Sequence, residues 1–248
     1  LMKSIRLLIV FASVWWISSA FSHRAGATDP VTDRTVVLTF DDSVVSHATF
    51  VAPLLKKYGF GATFFITEGF GFVDDKRHYL TWEQIKELDA AGFEIGNHTR
   101  RHRAVPRQTP EKLSADIAYI EQQCAKHGIA RPVSFCYPGY QTNRTAVKIL
   151  RARGYRYARA GGARAFDPAR DDPLLLPQAF DGKPASTLEQ FQAAVALAGA
   201  GKIAIMTFHG VPDIKHPWVN TDPAKFEAYL RHLKATGCRV IALRDLAR

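Results

Sequence analysis

The feature that most constrains the fold is a regular alternation of short apolar segments with longer amphipathic ones, from Thr35 to Leu243. The apolar segments are rich in β-branched residues and predict strands, and several of the amphipathic segments end in glycine, as helices do. This alternation indicates β/α units around a mainly parallel sheet. The predicted strands are Thr35–Phe40, Ala62–Ile66, Phe93–Asn97, Val133–Cys136, Tyr155–Arg159, Ile203–Phe208 and Cys238–Leu243, with Leu174–Leu176 as a weaker eighth.

The predicted helices fill the intervals between most of these strands. Seven or eight strands in this arrangement favour a closed or nearly closed (β/α) barrel over an open sheet. The chain has 248 residues, 47% of them hydrophobic, and shows no linker or internal repeat, so one domain with a sizeable core is expected. The helices are predicted at Val44–Tyr58, Trp82–Ala91, Pro110–His127, Thr142–Arg153, Leu188–Ala200 and Pro223–Ala235.

The N-terminal segment has the pattern of a secretory signal peptide. Lys3 and Arg6 precede the apolar run Leu7–Trp16, which leads into small residues. We expect residues 1–27 to be a signal peptide and residues 28–248 to be the exported domain, periplasmic or secreted. An uncleaved membrane anchor is the alternative, but the run is shorter than the ~20 apolar residues that a spanning helix needs, so no stable membrane anchor is expected.

The charge balance favours an anionic partner. Lys and Arg total 33 against 23 Asp and Glu, and the net charge of +10 becomes +7 without Lys3, Arg6 and Arg24. Arginines concentrate at 100–103 and again between 144 and 164. Outside the cytoplasm such a surface suits an acidic glycan, and a solvated basic face without a dedicated partner is the alternative. The sequence contains no recognised nucleic-acid-binding motif, so no nucleic-acid partner is expected.

The cysteines do not form a recognisable framework. Cys124, Cys136 and Cys238 are too few and too scattered for a disulfide scaffold, and their spacing matches neither a zinc finger nor a redox motif. The odd number also leaves at least one thiol free. We therefore interpret all three as buried small hydrophobic residues.

Side chains suited to metal binding and proton transfer directly follow three predicted strands. Asp41 and Asp42 follow the first strand, His98 follows the third with His102 four residues later, and His209 follows the next-to-last. The carboxyl ends of barrel strands meet at one face. Two imidazoles and a carboxylate are the ligands of a catalytic zinc site, and the remaining carboxylate and histidine would supply a base and an acid for metal-assisted hydrolysis.

Each of these residues alone also has an ordinary explanation. Asp41 or Asp42 suits the cap of the following helix. With nine histidines in the chain, the spacing of His98 and His102 also arises by chance, and His209 suits a core histidine. Their common placement at strand ends favours a functional site.

Three segments contain these residues, namely Thr39-Phe40-Asp41-Asp42-Ser43, Asn97-His98-Thr99-Arg100-Arg101-His102 and Phe208-His209-Gly210-Val211. In sequence, order and spacing they resemble the motifs of the polysaccharide deacetylase family, carbohydrate esterase family four. The resemblance extends from about Thr35 to Arg248. It implies a distorted (β/α) barrel that removes acyl groups in a metal-dependent reaction, usually N-acetyl groups from amino-sugar polymers.

The resemblance also implies a role for each residue of the site. Asp42, His98 and His102 would bind the metal, which is usually zinc, with another divalent transition metal as the alternative. Asp41 would be the general base and His209 the general acid.

The third motif of the family corresponds to Phe135-Cys136-Tyr137-Pro138-Gly139-Tyr140, in which the backbone N–H that holds the oxyanion falls on Gly139. Cys136 stands where the family most often has an arginine that orients the base, and the aspartate that would hold this arginine is absent from Ala158–Gly162. We predict that Arg159, at the end of its own strand, supplies the guanidinium instead; an ordinary surface arginine is the alternative.

The sequence thus predicts an exported, zinc-dependent deacylase that acts on cell-envelope or extracellular polysaccharide. Gly139, Tyr140, Arg159 and Trp218 are assigned to the substrate and oxyanion side of the site, with Tyr140 and Trp218 stacking on a sugar face; plain packing is the alternative for both aromatic residues. Two other functions stay open, hydrolysis of another C–N bond, such as a sugar formamide or a cyclic amide, and a catalytically silent glycan-binding module.

Overall fold

The computed structural model describes residues 34–247, and the predicted signal peptide lies outside this range. Within it, eight strands pair in parallel to form one sheet. They are β1 Thr35–Phe40, β2 Thr63–Ile66, β3 Glu94–Asn97, β4 Ser134–Cys136, β5 Tyr157–Arg159, β6 Phe180–Asp181, β7 Ala204–Phe208 and β8 Arg239–Ile241.

Six α-helices connect these strands, and several begin at residues whose side chains cap them. Thr81 and Gln84 form a reciprocal capping box at the start of the second helix, and Thr109 accepts a hydrogen bond from the Lys112 N–H at the start of the third. None of the helices in the described range is long and apolar enough to cross a bilayer. The helices are α1 Ala52–Tyr58, α2 Trp82–Ala90, α3 Pro110–Lys126, α4 Arg144–Ala152, α5 Leu188–Ala196 and α6 Pro223–Ala235.

The sheet curls into a distorted barrel, which confirms the predicted fold class. Its order is β5-β4-β3-β2-β1-β7-β6, and β8 pairs with the N-terminal half of β1. At the open edge, Leu176 forms a parallel bridge with Arg159 of β5, and Phe180 of β6 pairs with Met206 of β7. The chain between Leu176 and Phe180 therefore links the two edge strands.

Several predicted elements are shorter in the structure, such as the helix predicted at Leu188–Ala200, which ends at Ala196, and two differ more strongly. Leu174–Leu176 is not a strand, because Pro173 begins a 3₁₀ turn that the Asp172 carboxylate caps at the Leu174 N–H, and the strand forms at Phe180 instead. The first helix begins later than predicted, because Val44 pairs with Tyr79 across the mouth of the barrel. A π-helical turn, His47–Val51, then precedes α1.

An aromatic core fixes the two strands that precede the acidic pair and His209. Phe40 at the end of β1 stacks on Phe64 at 5.1 Å and on Phe208, at the end of β7, at 5.6 Å. Phe40 and Phe208 are also opposite each other in the strand register, and the Asp41 N–H donates to the Phe208 carbonyl at 2.9 Å. Since both rings are fully buried, the core determines where the residues that follow them lie.

The structure confirms that the cysteines are buried, although Cys136 contacts the polar groups of Asp41 and Arg159. Cys124, Cys136 and Cys238 are all buried and none forms a disulfide. Cys136 ends β4 and therefore lies at the same face of the barrel as the acidic pair.

Candidate active site

Asp42, His98 and His102 converge on a common point at the carboxyl ends of β1 and β3. Asp42 Oδ1 lies 3.4 Å from His98 Nε2 and 3.2 Å from His102 Nε2, and the two Nε2 atoms are 3.0 Å apart. The three side chains form a group whose ligand atoms all lie within 4.8 Å of one another. The structure therefore brings together the three residues predicted to bind metal.

Unusual backbone conformations place these side chains. Asp42, Ser43, Thr99 and His102 all have φ between 51° and 70°, a region that non-glycine residues adopt at an energetic cost. Side-chain hydrogen bonds hold the loop after β3, because the Thr99 N–H donates to Asn97 Oδ1 at 2.9 Å and the His102 N–H donates to Thr99 Oγ1 at 3.2 Å. Thr99 thus steadies the loop that carries His102.

The donor set fits a divalent transition-metal ion. His98 Nδ1 lies 2.8 Å from the Cys136 carbonyl oxygen and donates to it, so Nε2 is the nitrogen that faces Asp42. Burial alone would raise the pKa of the Asp42 carboxyl, but the hydrogen bond with His98 and the charges of His209 and His102 hold it well below its usual range. An ionised carboxylate and two imidazoles are ligands that zinc and cobalt both accept.

Asp41 is buried beside this group and is held from behind by Arg159. Its Oδ2 accepts a hydrogen bond from Arg159 Nη2 and lies 3.6 Å from Cys136 Sγ, whereas its buried Oδ1 has no hydrogen-bond partner in residues 34–247. Burial would raise the pKa of Asp41, but the charge of Arg159, followed by those of His98 and His209, holds it below its usual range. Asp41 is therefore an ionised acceptor with one free oxygen.

The surroundings of Arg159 differ from those of an ordinary surface arginine. Its side chain is fully buried, so it is not a surface residue, and Nη1 donates to Gln178 Oε1 at 3.2 Å. Arg159 lies opposite Cys136 in the register of β4 and β5, and its Nη2 is 2.8 Å from Cys136 Sγ. It lies behind Asp41 rather than on the open side of the site, where the substrate group was predicted.

Asp41, Asp42 and the two histidines of the metal-ligand group line one cavity of about 230 Å³ at the carboxyl end of the barrel. His209 is 9% exposed there, and its Nε2 lies 3.9 Å from Asp42 Oδ2. All five residues predicted for metal binding and proton transfer therefore share this cavity. Its other lining residues are Phe70, Gly139, Tyr140, Asp181, Lys183, His216, Trp218 and Val219.

Gly139, Tyr140 and Trp218 reach the cavity in different ways. Trp218 is 66% exposed at the rim, so one face of its indole is free for a ligand. Tyr140 packs its ring over the Arg159 guanidinium, 5.4 Å from the ring centroid, and donates its hydroxyl to Asp181 Oδ2 at 3.1 Å. Gly139 precedes it with a φ of 61°. The Tyr140 ring therefore covers the arginine that contacts Asp41.

Sequence reasoning missed Asp181, Lys183 and Gln178. Asp181 ends β6 and pairs with Lys183 at 2.9 Å, and both line the cavity. Gln178 Oε1 accepts hydrogen bonds from the Arg159 guanidinium and from Thr207 Oγ1, the latter at 2.7 Å. The only sequence signal for these residues was the weak apolar run at Leu174–Leu176, because a two-residue strand has no periodicity to detect.

A buried ion pair fixes the segment that follows β7. His216 Nδ1 lies 3.3 Å from Asp213 Oδ2, its Nε2 lies 3.3 Å from the Tyr79 hydroxyl, and its backbone N–H donates to Asp213 Oδ1 at 2.8 Å. The hydrogen bond that His216 donates to the Asp213 carboxylate raises the pKa of His216 against the effect of burial. Both ring nitrogens of His216 thus contact Asp213 and Tyr79 and do not face the proposed metal ligands.

Replacing Asp213 by Asn is expected to lower Tm more at about pH 5.5 than at about pH 9. A histidine whose folded pKa is raised contributes stability below its unfolded pKa, and that contribution is lost as pH rises through the folded pKa. Thermal unfolding of both proteins at the two pH values measures the difference. Asp171→Asn is the matched control, because its partner Arg164 does not titrate in this range. Equal losses for Asp213→Asn at both pH values would contradict the prediction.

Comparison with known proteins identifies similar sequences over the N-terminal half of the barrel. The family model described as "Polysaccharide deacetylase" matches residues 28–158. A peptidoglycan-N-acetylglucosamine deacetylase from Bacillus cereus is 32% identical over 128 residues, which are 51% of this chain and 56% of that protein. A chitin deacetylase from Pestalotiopsis sp is 27% identical over 143 residues, 57% of this chain and 46% of that protein. The chain spans about half the length of the curated relatives it matches.

Solved structures extend the similarity to most of the chain. A family 4 acetyl xylan esterase from Clostridium thermocellum, in complex with a cobalt ion, has a TM-score of 0.60 and 25% identity, covering 86% of this chain and 89% of that one. A CE4 family pseudoenzyme from Bacillus anthracis also has a TM-score of 0.60, at 15% identity, and covers 88% of this chain and 66% of that one. Because a pseudoenzyme shares the fold, any argument about activity must come from the site residues.

Proposed function

Because the chain belongs to the polysaccharide deacetylase family, we propose that it is a metal-dependent hydrolase that removes acyl groups, N-acetyl groups above all, from a cell-envelope or extracellular polysaccharide. The observation that carries this proposal is the convergence of a metal-ligand group, an ionised carboxylate and a third histidine in one cavity. The fold alone would not carry it.

Asp42, His98 and His102 would hold the cation, which we propose to be zinc. When bound there, the ion would supply a Lewis acid that polarises the acyl carbonyl and lowers the pKa of water. The hydrogen bond between His98 Nδ1 and the Cys136 carbonyl fixes the ring in the orientation that this role requires.

Asp41 is the general base in this proposal. Its free Oδ1 accepts the proton of the attacking water, while Arg159 holds Oδ2 and keeps the carboxylate ionised. The direction of the carboxylate is fixed because Arg159 is itself held by Gln178. The site therefore has a charged, oriented base without an arginine at position 136.

His209 is the general acid. An amine leaves an amide only when its nitrogen gains a proton, so an acid on the other side of the reacting carbonyl is needed. His209 lies in the wall of the cavity close to Asp42, at the end of a different strand from Asp41. The two groups thus act from separate elements of the barrel.

The remaining predicted residues would bind the polymer. We propose that the Gly139 backbone N–H faces the developing oxyanion and that the exposed Trp218 stacks on a sugar face. Tyr140 lines the same cavity, but its ring already packs on Arg159.

We also propose that residues 1–27 direct export and that the basic surface attracts an acidic glycan. The sequence supports both proposals.

A catalytically silent glycan-binding module is the other candidate from the sequence. The sequence observation that favoured this module is that the arginine and the aspartate of the usual family pattern are both absent from this chain. The contact between Arg159 and Asp41 favours the enzyme. A guanidinium still reaches the proposed base, but it comes from β5, the strand next to the one that carries Cys136. A binding module has no need of a buried, charged base.

The proposal is tested by acetate release from N-acetylglucosamine oligomers, peptidoglycan and acetylated xylan, with added zinc or cobalt and after chelation. We expect release from at least one polymer, its loss on chelation and its recovery when metal is restored. The variant His98→Ala, with metal content measured directly, is the matched control for the site. Binding of metal without release from any polymer would contradict the proposed activity, and release that survives chelation would contradict the metal dependence.

A further inference from the structure

The π-helical turn after β1 places two side chains against the backbone that carries His209. His47 Nε2 lies 2.9 Å from the His209 carbonyl oxygen, and Ser46 Oγ accepts a hydrogen bond from the Val211 N–H at 2.9 Å. π-Helical turns are rare and occur frequently at functional sites. Here the first residue of the turn, His47, and the residue before it, Ser46, contact the backbone on either side of Gly210.

His47 is fully buried in the aromatic core. Its ring lies 5.3 Å from that of Phe64 and 5.7 Å from that of Phe40, and burial lowers its pKa to about 4. The imidazole is therefore neutral, and since a carbonyl oxygen only accepts hydrogen bonds, Nε2 carries the proton and Nδ1 does not.

Packing alone does not explain a histidine at this position. Nδ1 of His47 is buried and has no hydrogen-bond partner in the part of the chain that the structure describes. A buried polar atom without a partner is unfavourable, and an apolar side chain of similar volume would avoid it. The hydrogen bond from Nε2 to the His209 carbonyl is what a leucine or phenylalanine would lack.

The ring of His209 depends on its backbone for orientation. Its Nδ1 is buried and likewise has no hydrogen-bond partner among residues 34–247, whereas Nδ1 of His216 faces the carboxylate of Asp213. The backbone from Phe208 to Val211 is held at each residue. The Asp41 N–H donates to the Phe208 carbonyl, His47 to the His209 carbonyl and the Thr221 N–H to the Gly210 carbonyl, and Ser46 accepts from the Val211 N–H.

We propose that His47 is a positioning residue for His209, acting through the backbone carbonyl so that the His209 imidazole faces the leaving nitrogen. This inference rests on the proposed function, in which His209 is the acid. A defect in His47 alone therefore weakens protonation of the leaving group and leaves the Asp42 group and the base intact.

The test compares His47→Leu, which lacks the donor, with His47→Gln, whose terminal amide retains one near the position of Nε2. Each is assayed on an N-acetylated sugar oligomer and on an activated aryl acetate, whose leaving group departs without protonation. We expect His47→Leu to lower kcat on the amide about 10- to 100-fold with little change in KM, because it impairs an acid whose whole contribution is about 10²–10⁴-fold. The aryl ester should lose less than about threefold on the same reasoning, and His47→Gln should recover most of the amide activity.

Phe64→Leu is the matched control, since it disturbs the same core without removing a donor. It should lower Tm and leave the ratio of amide to ester activity unchanged. A direct measurement on the protein is the exchange rate of the His47 Nε2 proton by NMR, which we expect to be slow.

Equal losses on amide and ester in His47→Leu, or a changed ratio in Phe64→Leu, would overturn the inference, as would rapid exchange of the His47 Nε2 proton. Should His47→Leu fail to fold, a His47→Gln protein with a strongly reduced amide-to-ester ratio would overturn it equally. A wild-type protein that binds metal but is inert on both substrates would instead overturn the proposed function.

Discussion

Replacing Asp41 by Asn is expected to lower the rate of acyl release by about 10²–10⁴-fold, the usual contribution of a general base. Asparagine has nearly the same shape and its oxygen can still accept from Arg159, but it cannot take a proton from water. Because Asp42, His98 and His102 are unchanged, the variant should bind its cation with unaltered stoichiometry.

The measurement is kcat/KM for acetate release on the best polymer substrate, together with the metal content of the purified protein. Asp171→Asn, which removes a carboxylate from an exposed pair with Arg164, should leave kcat/KM unchanged. A loss of less than about tenfold in Asp41→Asn would assign the base to another residue, and a loss of bound metal would assign Asp41 to the metal group.

Replacing Arg159 by Met is expected to have the second large effect, on both stability and rate. Removing one partner of a buried ion pair leaves an uncompensated charge and costs about 3–5 kcal/mol. In the wild type, Arg159 holds the pKa of Asp41 below its usual range, and without Arg159 the burial of the carboxyl raises that pKa. The loss of stability should therefore be largest near neutral pH and smaller in acid, where the carboxylate is protonated in the folded and unfolded protein alike.

The measurements for this variant are denaturant unfolding at neutral and acid pH, and the pH profile of kcat/KM. We expect the acid limb of the profile to move to higher pH, because a larger fraction of Asp41 is protonated. An unchanged profile together with unchanged stability would show that the contact between Arg159 and Asp41 has no role in the base.

A double variant separates the loss of the guanidinium from damage to the fold. Cys136 and Arg159 are directly opposite each other on β4 and β5, and both contact Asp41. Cys136→Arg combined with Arg159→Cys moves the guanidinium to the position where the family most often has it. We expect this protein to recover most of the activity that Arg159→Met loses, whereas Cys136→Ala alone should change it little. Failure of the double variant to recover activity, with a normal Tm, would contradict a simple exchange of positions.

The sequence predicted the strands and the residues at their ends because both signals are local. An apolar run such as Thr35–Phe40 indicates a buried strand wherever it lies, and the polar residues that follow it must lie at the barrel face where strands end. By contrast, β6 has only two residues and its pairing depends on Met206 and Thr207 of β7. Asp181 and Lys183 followed a strand that the sequence did not reveal.

The sequence by itself determined the family, the barrel and which side chains are proposed as metal ligands, acid and base, because each follows from a run of neighbouring residues. Only the tertiary structure decided what surrounds that set. It showed that Arg159 faces Asp41, that Tyr140 covers Arg159 and that His47 holds the His209 backbone. The physical reason is that these contacts depend on strand register and on helix packing, which bring together residues 19 to 162 positions apart in the chain.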